Sequence, residues 1–482
     1  MAASSSVVRV CCLALAASVG NQKVAFPGSA AYNASLASYF SAQQASVQPA
    51  CIVQAQTAND VSAAVVTLTT TAAGLCPFAV RSGGHTGFVG ASNSPGGVTI
   101  DLRALKSVTV SNNGSRASVG VGNTWDTVYA KLDPLGLSVA GGRAAGVGVG
   151  GLTLGGGISY FSPRYGFTCD TVSNFQVVLA SGAIVNANAT SNPDLFVALR
   201  GGSNNFGIVT RVDLKAFDQG LMFAGTSLTS LAIADDQIAE FVKFSAADTY
   251  DEYSSLITSF AYSQAQGIAV VSNTMQYTKP VENPAVFQTF LSFPAFFKTT
   301  GLANMTSISQ ATQALNPDGM RQLSVVTTIV STEAALKAAY VQWNNSLANV
   351  TGTPGLVWSL VLEPLPPAIY AKGAKTNSLG LANRNPKSLV VALINTAWLS
   401  AADDAKISGT AYRLLAAIES ETRRLGAYDP YVYLNYAGQF QDPIASYGVE
   451  SVLRLKLARA RYDPWGVFTR QVAGGYKIPG LF

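Results

Sequence analysis

The stretch from Gly146 to Gly157, GVGVGGLTLGGG, constrains this chain more than any other. Glycines at this density let a backbone approach a ligand closely and free its N–H groups for anionic oxygens. The stretch holds a formal G-x-G-x-x-G from Gly146 to Gly151, with Asp170 about twenty residues on, as in a dinucleotide-binding βαβ unit. That unit requires a helix directly after the glycines. Here more glycine follows, then Ile158-Ser159-Tyr160-Phe161-Ser162-Pro163, which cannot run as a long helix. The alternative is a glycine-rich loop that hugs an extended dinucleotide.

Two further glycine turns share this character. Arg81-Ser82-Gly83-Gly84-His85-Thr86-Gly87 follows the apolar strand Phe78-Ala79-Val80, and His85 is the only histidine in the chain. Arg200-Gly201-Gly202-Ser203-Asn204-Asn205-Phe206-Gly207 feeds a strand through Ile208, Val209 and Thr210. Three such turns suit a long ligand carrying a pyrophosphate, although each could equally be a tight turn in a β-rich domain. Near the end, Tyr431-Val432-Tyr433-Leu434-Asn435-Tyr436 reads as a strand with Tyr431, Tyr433 and Asn435 on one face. A phenol serves as a general base where its surroundings lower its pKa.

From Pro49 to Phe217 short strands and glycine turns alternate with a few helices. Asp60 is expected to cap a helix through Val61 to Leu68, and Thr124 one from Trp125 to Leu135. After Phe217 longer helices are expected at Ala232 to Ser245, Glu333 to Leu347 and Ala401 to Leu425, with strands at Gly267 to Gln276, Val357 to Leu362 and Leu389 to Trp398. That change marks a second, α+β domain. Internal repeats and apolar runs of membrane-spanning length are absent from the sequence beyond its first twenty residues.

The first eighteen residues read as a signal peptide. Arg9 supplies the positive region, Val10 to Val19 the apolar one, and Ala14-Leu15-Ala16 a cleavage site. Secretion is therefore expected, with sequons at Asn33, Asn113, Asn188, Asn304, Asn344 and Asn349 as glycan acceptors. Removal of Cys11 and Cys12 with the signal leaves three cysteines. Cys51 and Cys76, which bracket a helical stretch, are then the expected disulfide, and Cys169 a buried free thiol. The net charge of +5 comes from 31 basic and 26 acidic residues without a basic block, so no nucleic-acid partner is expected. No metal site is expected either.

Together these motifs resemble the vanillyl-alcohol-oxidase or PCMH-type flavoproteins, and among them the berberine-bridge-enzyme-like FAD-linked oxidoreductases of the secreted fungal kind. RSGGH, VGVGGLTLGGG, the run from Ser162 to Gly182, RGGSNNFGIVT, YLNY and RYDPWGVF occur in family order over nearly the whole chain. The resemblance implies an α+β fold: a two-part FAD-binding domain over residues 47–217, and a substrate domain over 218–430 with an antiparallel sheet backed by helices. Residues 431–482 would return to the FAD domain.

It also implies roles. FAD would be held by Arg81, Ser82, Gly83, Gly84, His85, Thr86, Gly87, Val147, Gly148, Gly150, Gly151, Gly156, Val209 and Asn435, with His85 bonded to the flavin. Relatives with a second link carry a cysteine where this chain has Ala144, so one covalent bond is expected. Val147 stands at the oxygen-gating position, which implies an oxidase with O2 as acceptor. The strand that carries a Glu or Gln in some relatives is apolar here from Leu389 to Ile394, which leaves Tyr433 as the base. A monomer acting on an apolar small molecule is expected, its pocket lined by Trp358, Trp398, Phe296 and Phe297. An oligosaccharide oxidase and a flavin-loaded binding protein of low turnover are the rivals.

Overall fold

The computed structural model describes residues 4–480, apart from 383, 385 and 386. Three sheets organise the chain. The first contains β1 (Val24–Ala25), β2 (Cys51–Gln54), β3 (Phe78–Arg81) and β4 (Val98–Asp101) in the order β1-β2-β4-β3. Its β2, β4 and β3 run parallel. Helix Ala58–Thr70 connects β2 to the β3 side and starts in a capping box, with Thr57 as the cap. Asp60, expected as the cap, is instead the third helical residue, and its carboxylate returns to the Thr57 backbone.

The second sheet is antiparallel: β5 (Val108–Val110), β6 (Arg116–Gly120), β7 (Leu137–Val139), β8 (Val172–Val178), β9 (Ile184–Asn188) and β10 (Ile208–Asp218). Its path is β5-β6-β10-β8-β9, with β7 on the far end of β10. The glycine-dense stretch does open a helix, Val149–Leu154, but it lasts six residues and stops at Gly155. The parallel unit of a dinucleotide fingerprint is missing around it.

A third sheet begins at once after β10. It comprises β11 (Met222–Ser230), β12 (Ser254–Ser263), β13 (Ile268–Tyr277), β14 (Ala295–Ala303), β15 (Arg321–Val330), β16 (Val357–Leu365), β17 (Leu389–Trp398) and β18 (Tyr428–Asp429), in the order β14-β11-β13-β12-β16-β17-β15-β18. All its pairings are antiparallel. One face packs Phe260, Trp358, Leu360, Ile394 and Trp398 with residues of helices Ala234–Phe244, Glu333–Ser346 and Asp404–Arg424. The other face carries Ser324, Glu363 and Asn395 toward the half built on the first two sheets, whose core cluster includes Leu365 and Val391.

Three expectations are corrected here. The segment read as a removable signal is helix Ser5–Val19, which buries Val8, Cys11, Cys12, Leu15, Ala16 and Val19 while Val10 and Leu13 stay exposed. Its two cysteines form the disulfides, Cys11–Cys76 and Cys12–Cys51. The expected Cys51–Cys76 bond is excluded by sheet order: β4 lies between β2 and β3, and Val98 pairs with both Cys51 and Phe78. Two strand spacings are roughly 9–10 Å, beyond the Cα separation a disulfide spans. Adjacent cysteines on a helix diverge by about 100° and so reach two different elements. Cys169 is free and buried.

The third correction concerns the expected strand Tyr431–Tyr436. Strand pairing ends at Asp429, because Pro430 has no N–H to donate. Leu434–Tyr436 is a single 3-10 turn. Among the described residues, no helix is long and apolar enough to cross a membrane.

Candidate functional site

The turn after β3 is built to expose backbone. Arg81 is fully buried and lies 3.5 Å from the centre of the Tyr39 ring. Its Nη1 and Nη2 each donate to a carbonyl, of Ser35 and Ser38, at 2.6 Å. The side chain therefore anchors the turn through the Ser35 and Ser38 carbonyls. Beyond it, Ser82 Oγ donates to the Val121 carbonyl at 2.6 Å and accepts from Gly150 N at 3.1 Å. This clasps the first turn to the second glycine loop. At Gly83 a Cβ would stand 2.5 Å from Gly148 N and 2.6 Å from its Cα, so neither loop admits a side chain there. Among the described residues, no protein acceptor receives the backbone N–H of Gly83, Gly84, His85, Thr86 or Gly87.

His85 is the central residue of this run of donors. Its ring stacks on Phe40 with centroids 3.8 Å apart and planes 11° from parallel. Nε2 is covered and has no hydrogen-bond partner. Burial pushes the imidazole pKa down to about 4, so the ring is neutral near pH 7 and keeps a nitrogen lone pair. Gln313, on helix Met305–Ala314, is its polar neighbour and also lies against Gly146.

The other end of the site comes from the chain's last segment. Tyr433 Oη accepts from Ile158 N at 2.9 Å and from Asn435 Nδ2 at 3.1 Å. Asn435 Nδ2 also donates to the Leu152 carbonyl at 3.0 Å, which leaves no room for a Cβ at Gly155. Burial holds the Tyr433 phenol well above its usual pKa. Both oxygen lone pairs already receive N–H donors, so at neutral pH Tyr433 can offer its proton and has no free lone pair to accept one. That geometry argues against its expected role as base.

Tyr436 stands edge-on to Tyr433 at 4.9 Å. It donates to Glu363 Oε1 at 3.1 Å. Arg143 Nη2 lies 2.8 Å from both Glu363 oxygens and 2.5 Å from Tyr436 Oη. Burial opposes the Arg143 charge, but Glu363 more than compensates and holds its pKa above the ordinary value. The sequence reading passed over this trio. Its signals were a lone charge in the apolar strand VWSLVLEPL and an arginine directly after Gly141-Gly142.

The FAD binding domain family matches residues 49–188. The FAD-dependent monooxygenase CTB5 of Cercospora beticola is 35% identical over 498 residues, covering 99% of this chain and 93% of that protein. The chain belongs to the family of these FAD-dependent oxidoreductases. A Diaporthe leptostromiformis relative, named oligopeptidase PhomG', is 48% identical over 471 residues and covers 96% of this chain. The chain spans only 37% of that protein's length. Two solved structures share the fold. 6-Hydroxy-D-nicotine oxidase from Arthrobacter nicotinovorans superposes with TM-score 0.78 at 22% identity, covering 94% of this chain and 97% of that one. Glucooligosaccharide oxidase from Acremonium strictum gives 0.74 at 19% identity, covering 96% and 98%, and its description names a 6-S-cysteinyl, 8α-N1-histidyl FAD.

The residues present fit FAD. Five unpaired amides in sequence suit a pyrophosphate, and an unpartnered covered ring nitrogen suits a bond to the flavin. Thr86 and Gly151 are exposed, Gly87 packs near Gln322 of β15, and Gly156 adopts φ +109° against Leu379. Val209 is buried in β10 opposite Val177. Val147 is half-buried, and its carbonyl receives Trp125 N at 3.1 Å.

Four residues expected to line the substrate pocket do not. Trp358 and Trp398 lie in the helix-facing core, and Phe296 and Phe297 are 74% and 52% exposed on edge strand β14. Their burial follows strand parity, which places even-numbered residues of β16 and β17 on the far face of the sheet. Replacing Phe296 and Phe297 together with serine should leave the flavin spectrum unchanged and shift unfolding by no more than about 0.5 kcal/mol, as for surface sites generally. Thermal unfolding followed by flavin absorbance checks this. Of the sequons, Asn33, Asn113, Asn344 and Asn349 are exposed. Asn188 donates to Asn174, and Asn304 caps the helix that bears Gln313.

Proposed function

We propose that this oxidoreductase is an oxidase that removes a hydride from a C–H of a small hydroxyl-bearing molecule, with FAD joined to His85 by a single covalent bond. The observation that carries this reading is the neutral, unpartnered His85 nitrogen in the middle of five unpaired amides. FAD, when bound, supplies the hydride acceptor and the route of the two electrons to O2. The chain's own residues do the rest. Amides of residues 83–87 hold phosphate oxygens, Phe40 keeps water from the His85 ring, and Tyr433 directs its proton into the site. Ala144 offers no thiol for a second link of the kind named in the Acremonium enzyme's description. Val147 presents a small side chain to incoming O2. The two disulfides support assembly in an oxidising compartment.

Acid precipitation tests the tether. Yellow colour should stay in the wild-type pellet and move to the supernatant with His85→Ala; flavin released from wild type would overturn the covalent assignment. A peroxide-coupled screen of alcohols, phenolic benzylic alcohols and sugars then identifies the substrate. The monooxygenase reading rests on the name of the Cercospora relative. Labelled O2 separates the two: an oxidase leaves both labelled oxygens in peroxide, and a monooxygenase puts one into the organic product and the other into water.

A further inference from the structure

We infer that the loop of residues 316–320, which leads into β15 of the third sheet, sets the His85 ring for its bond to the flavin. It acts through Phe40 and Gln313, so the tether forms only after the third sheet has docked on the first two. This rests on the covalent reading above and adds the positioning residues that the bond requires.

Two side chains from outside the turn fix the ring. Phe40 stacks on it, with centroids 3.8 Å apart and planes 11° from parallel. Gln313 is its polar neighbour, and Gln313 Oε1 is covered and unpartnered, like His85 Nε2. One loop holds both. Gln313 Nε2 donates to the Asn316 carbonyl at 2.9 Å and to Asp318 Oδ1 at 3.0 Å. Both amide protons are then engaged, and only the oxygen is left to face another group. Gly319 N donates to the Phe40 carbonyl at 2.8 Å, and Ala42 N to the Met320 carbonyl at 2.9 Å. Gln43 extends this seam along β15. Its Nε2 donates to the Gln322 carbonyl at 2.8 Å, and its Oε1 accepts from Gln322 N at 3.1 Å.

The other end of the Phe40 segment is fastened to the flavin turn. Arg81 Nη2 donates to the Ser38 carbonyl, and the Tyr39 ring lies against the Arg81 guanidinium. A Cβ on Gly84 would stand 2.8 Å from Tyr39 Cδ1, so turn and segment touch closely there. Residues 38–43 therefore bridge the turn to β15. The turn also meets β15 directly, because a Cβ on Gly87 would lie 3.2 Å from the Gln322 carbonyl oxygen. Before β15 arrives, Phe40 is supported on one side only and Gln313 has no fixed place, so the His85 ring is free to turn. The bond needs a still ring. The ring nitrogen joins a methyl carbon of the flavin, one hydrogen leaves that carbon and one leaves the imidazole N–H. O2 takes the two hydrogens with two electrons and becomes H2O2. Misplacing a reacting group by an ångström costs about a hundredfold in rate.

Attachment is timed on full-length protein produced without riboflavin and then mixed with FAD in air. Samples quenched in acid give the flavin retained in the pellet, and filtered, unquenched samples give all the flavin bound. Phe40→Ala should bind as much flavin as wild type and attach it about a hundredfold more slowly. Phe40→Tyr keeps the flat face and should attach at close to the wild-type rate. Gln43→Ala should also slow attachment, although the side-chain hydrogen bonds of Gln43 go only to the Gln322 backbone. It opens the seam and leaves Phe40 and His85 intact. Wild-type rates of attachment in both Phe40→Ala and Gln43→Ala would overturn the inference. So would a Phe40→Tyr as slow as Phe40→Ala, because the stack would then be immaterial. A wild type that keeps no flavin in acid sinks the tether reading itself, whatever the variants do.

Discussion

Gly83→Ala should yield a protein that carries about a tenth or less of the wild-type flavin, equivalent to at least about 1.4 kcal/mol of lost binding. The new Cβ would lie 2.5 Å from the Gly148 nitrogen, and both partners in the clash are backbone. No side chain can swing aside, so the two glycine loops must part. That opens the Ser82–Gly150 hydrogen bond, which sits one residue from Gly83 and two from Gly148. Overpacking of this kind costs about 1–3 kcal/mol of stability by itself. Loss of flavin comes on top, because the free amides of residues 83–87 no longer face the second loop. Gly220→Ala is the control, since nothing lies within 4 Å of a Cβ built there. The ratio of flavin to protein absorbance in the purified variants decides the matter, and a fully yellow Gly83→Ala would sink the cradle.

Losing the N-terminal staples should be the largest change in stability. Replacing Cys11 and Cys12 with serine opens loops of 65 and 39 residues. Closing the larger loop restricts the unfolded chain by about 4 kcal/mol in the loop-entropy picture. The smaller loop is nested inside it and adds less. Helix Ser5–Val19 would then hold by its apolar stripe in the core and by the Thr67–Ser18 hydrogen bond to helix Ala58–Thr70. Urea unfolding with and without reductant measures this. A single midpoint shared by oxidised, reduced and doubly substituted protein would remove any stabilising role for the disulfides. Digestion without reductant provides an independent check: the peptide containing Cys11 and Cys12 should travel with those of Cys51 and Cys76.

What the sequence disclosed and what it withheld follow one rule. Signals confined to a few adjacent residues were readable. The glycine turns, the boundaries of helix Glu333–Ser346 to within a residue and strand Leu389–Trp398 all came from local pattern. The disulfides were misread because the answer depended on β4 passing between two strands, a non-local fact. The tryptophans were misplaced because composition says nothing about which face of a strand is covered by helices. Glu363 escaped notice because its partners come from residues 143 and 436, on opposite sides of it in the chain. A local pattern shows that a charge is unusual in its strand, but it does not show which residues neutralise it.

The tail that supplies Tyr433 and Asn435 also ties down the first half of the molecule. Phe78 N donates to the Gln471 carbonyl, and Asn205 Nδ2 donates to that of Tyr476. The turn that bears His85 is thus flanked by a strand completed only by residues some four hundred positions later. A chain emerging from the ribosome reaches His85 early and then has to wait. Long-range closure of this type is slow and leaves edges exposed meanwhile. The cradle around His85 is therefore complete only once residues 471–476 have emerged and folded back onto it.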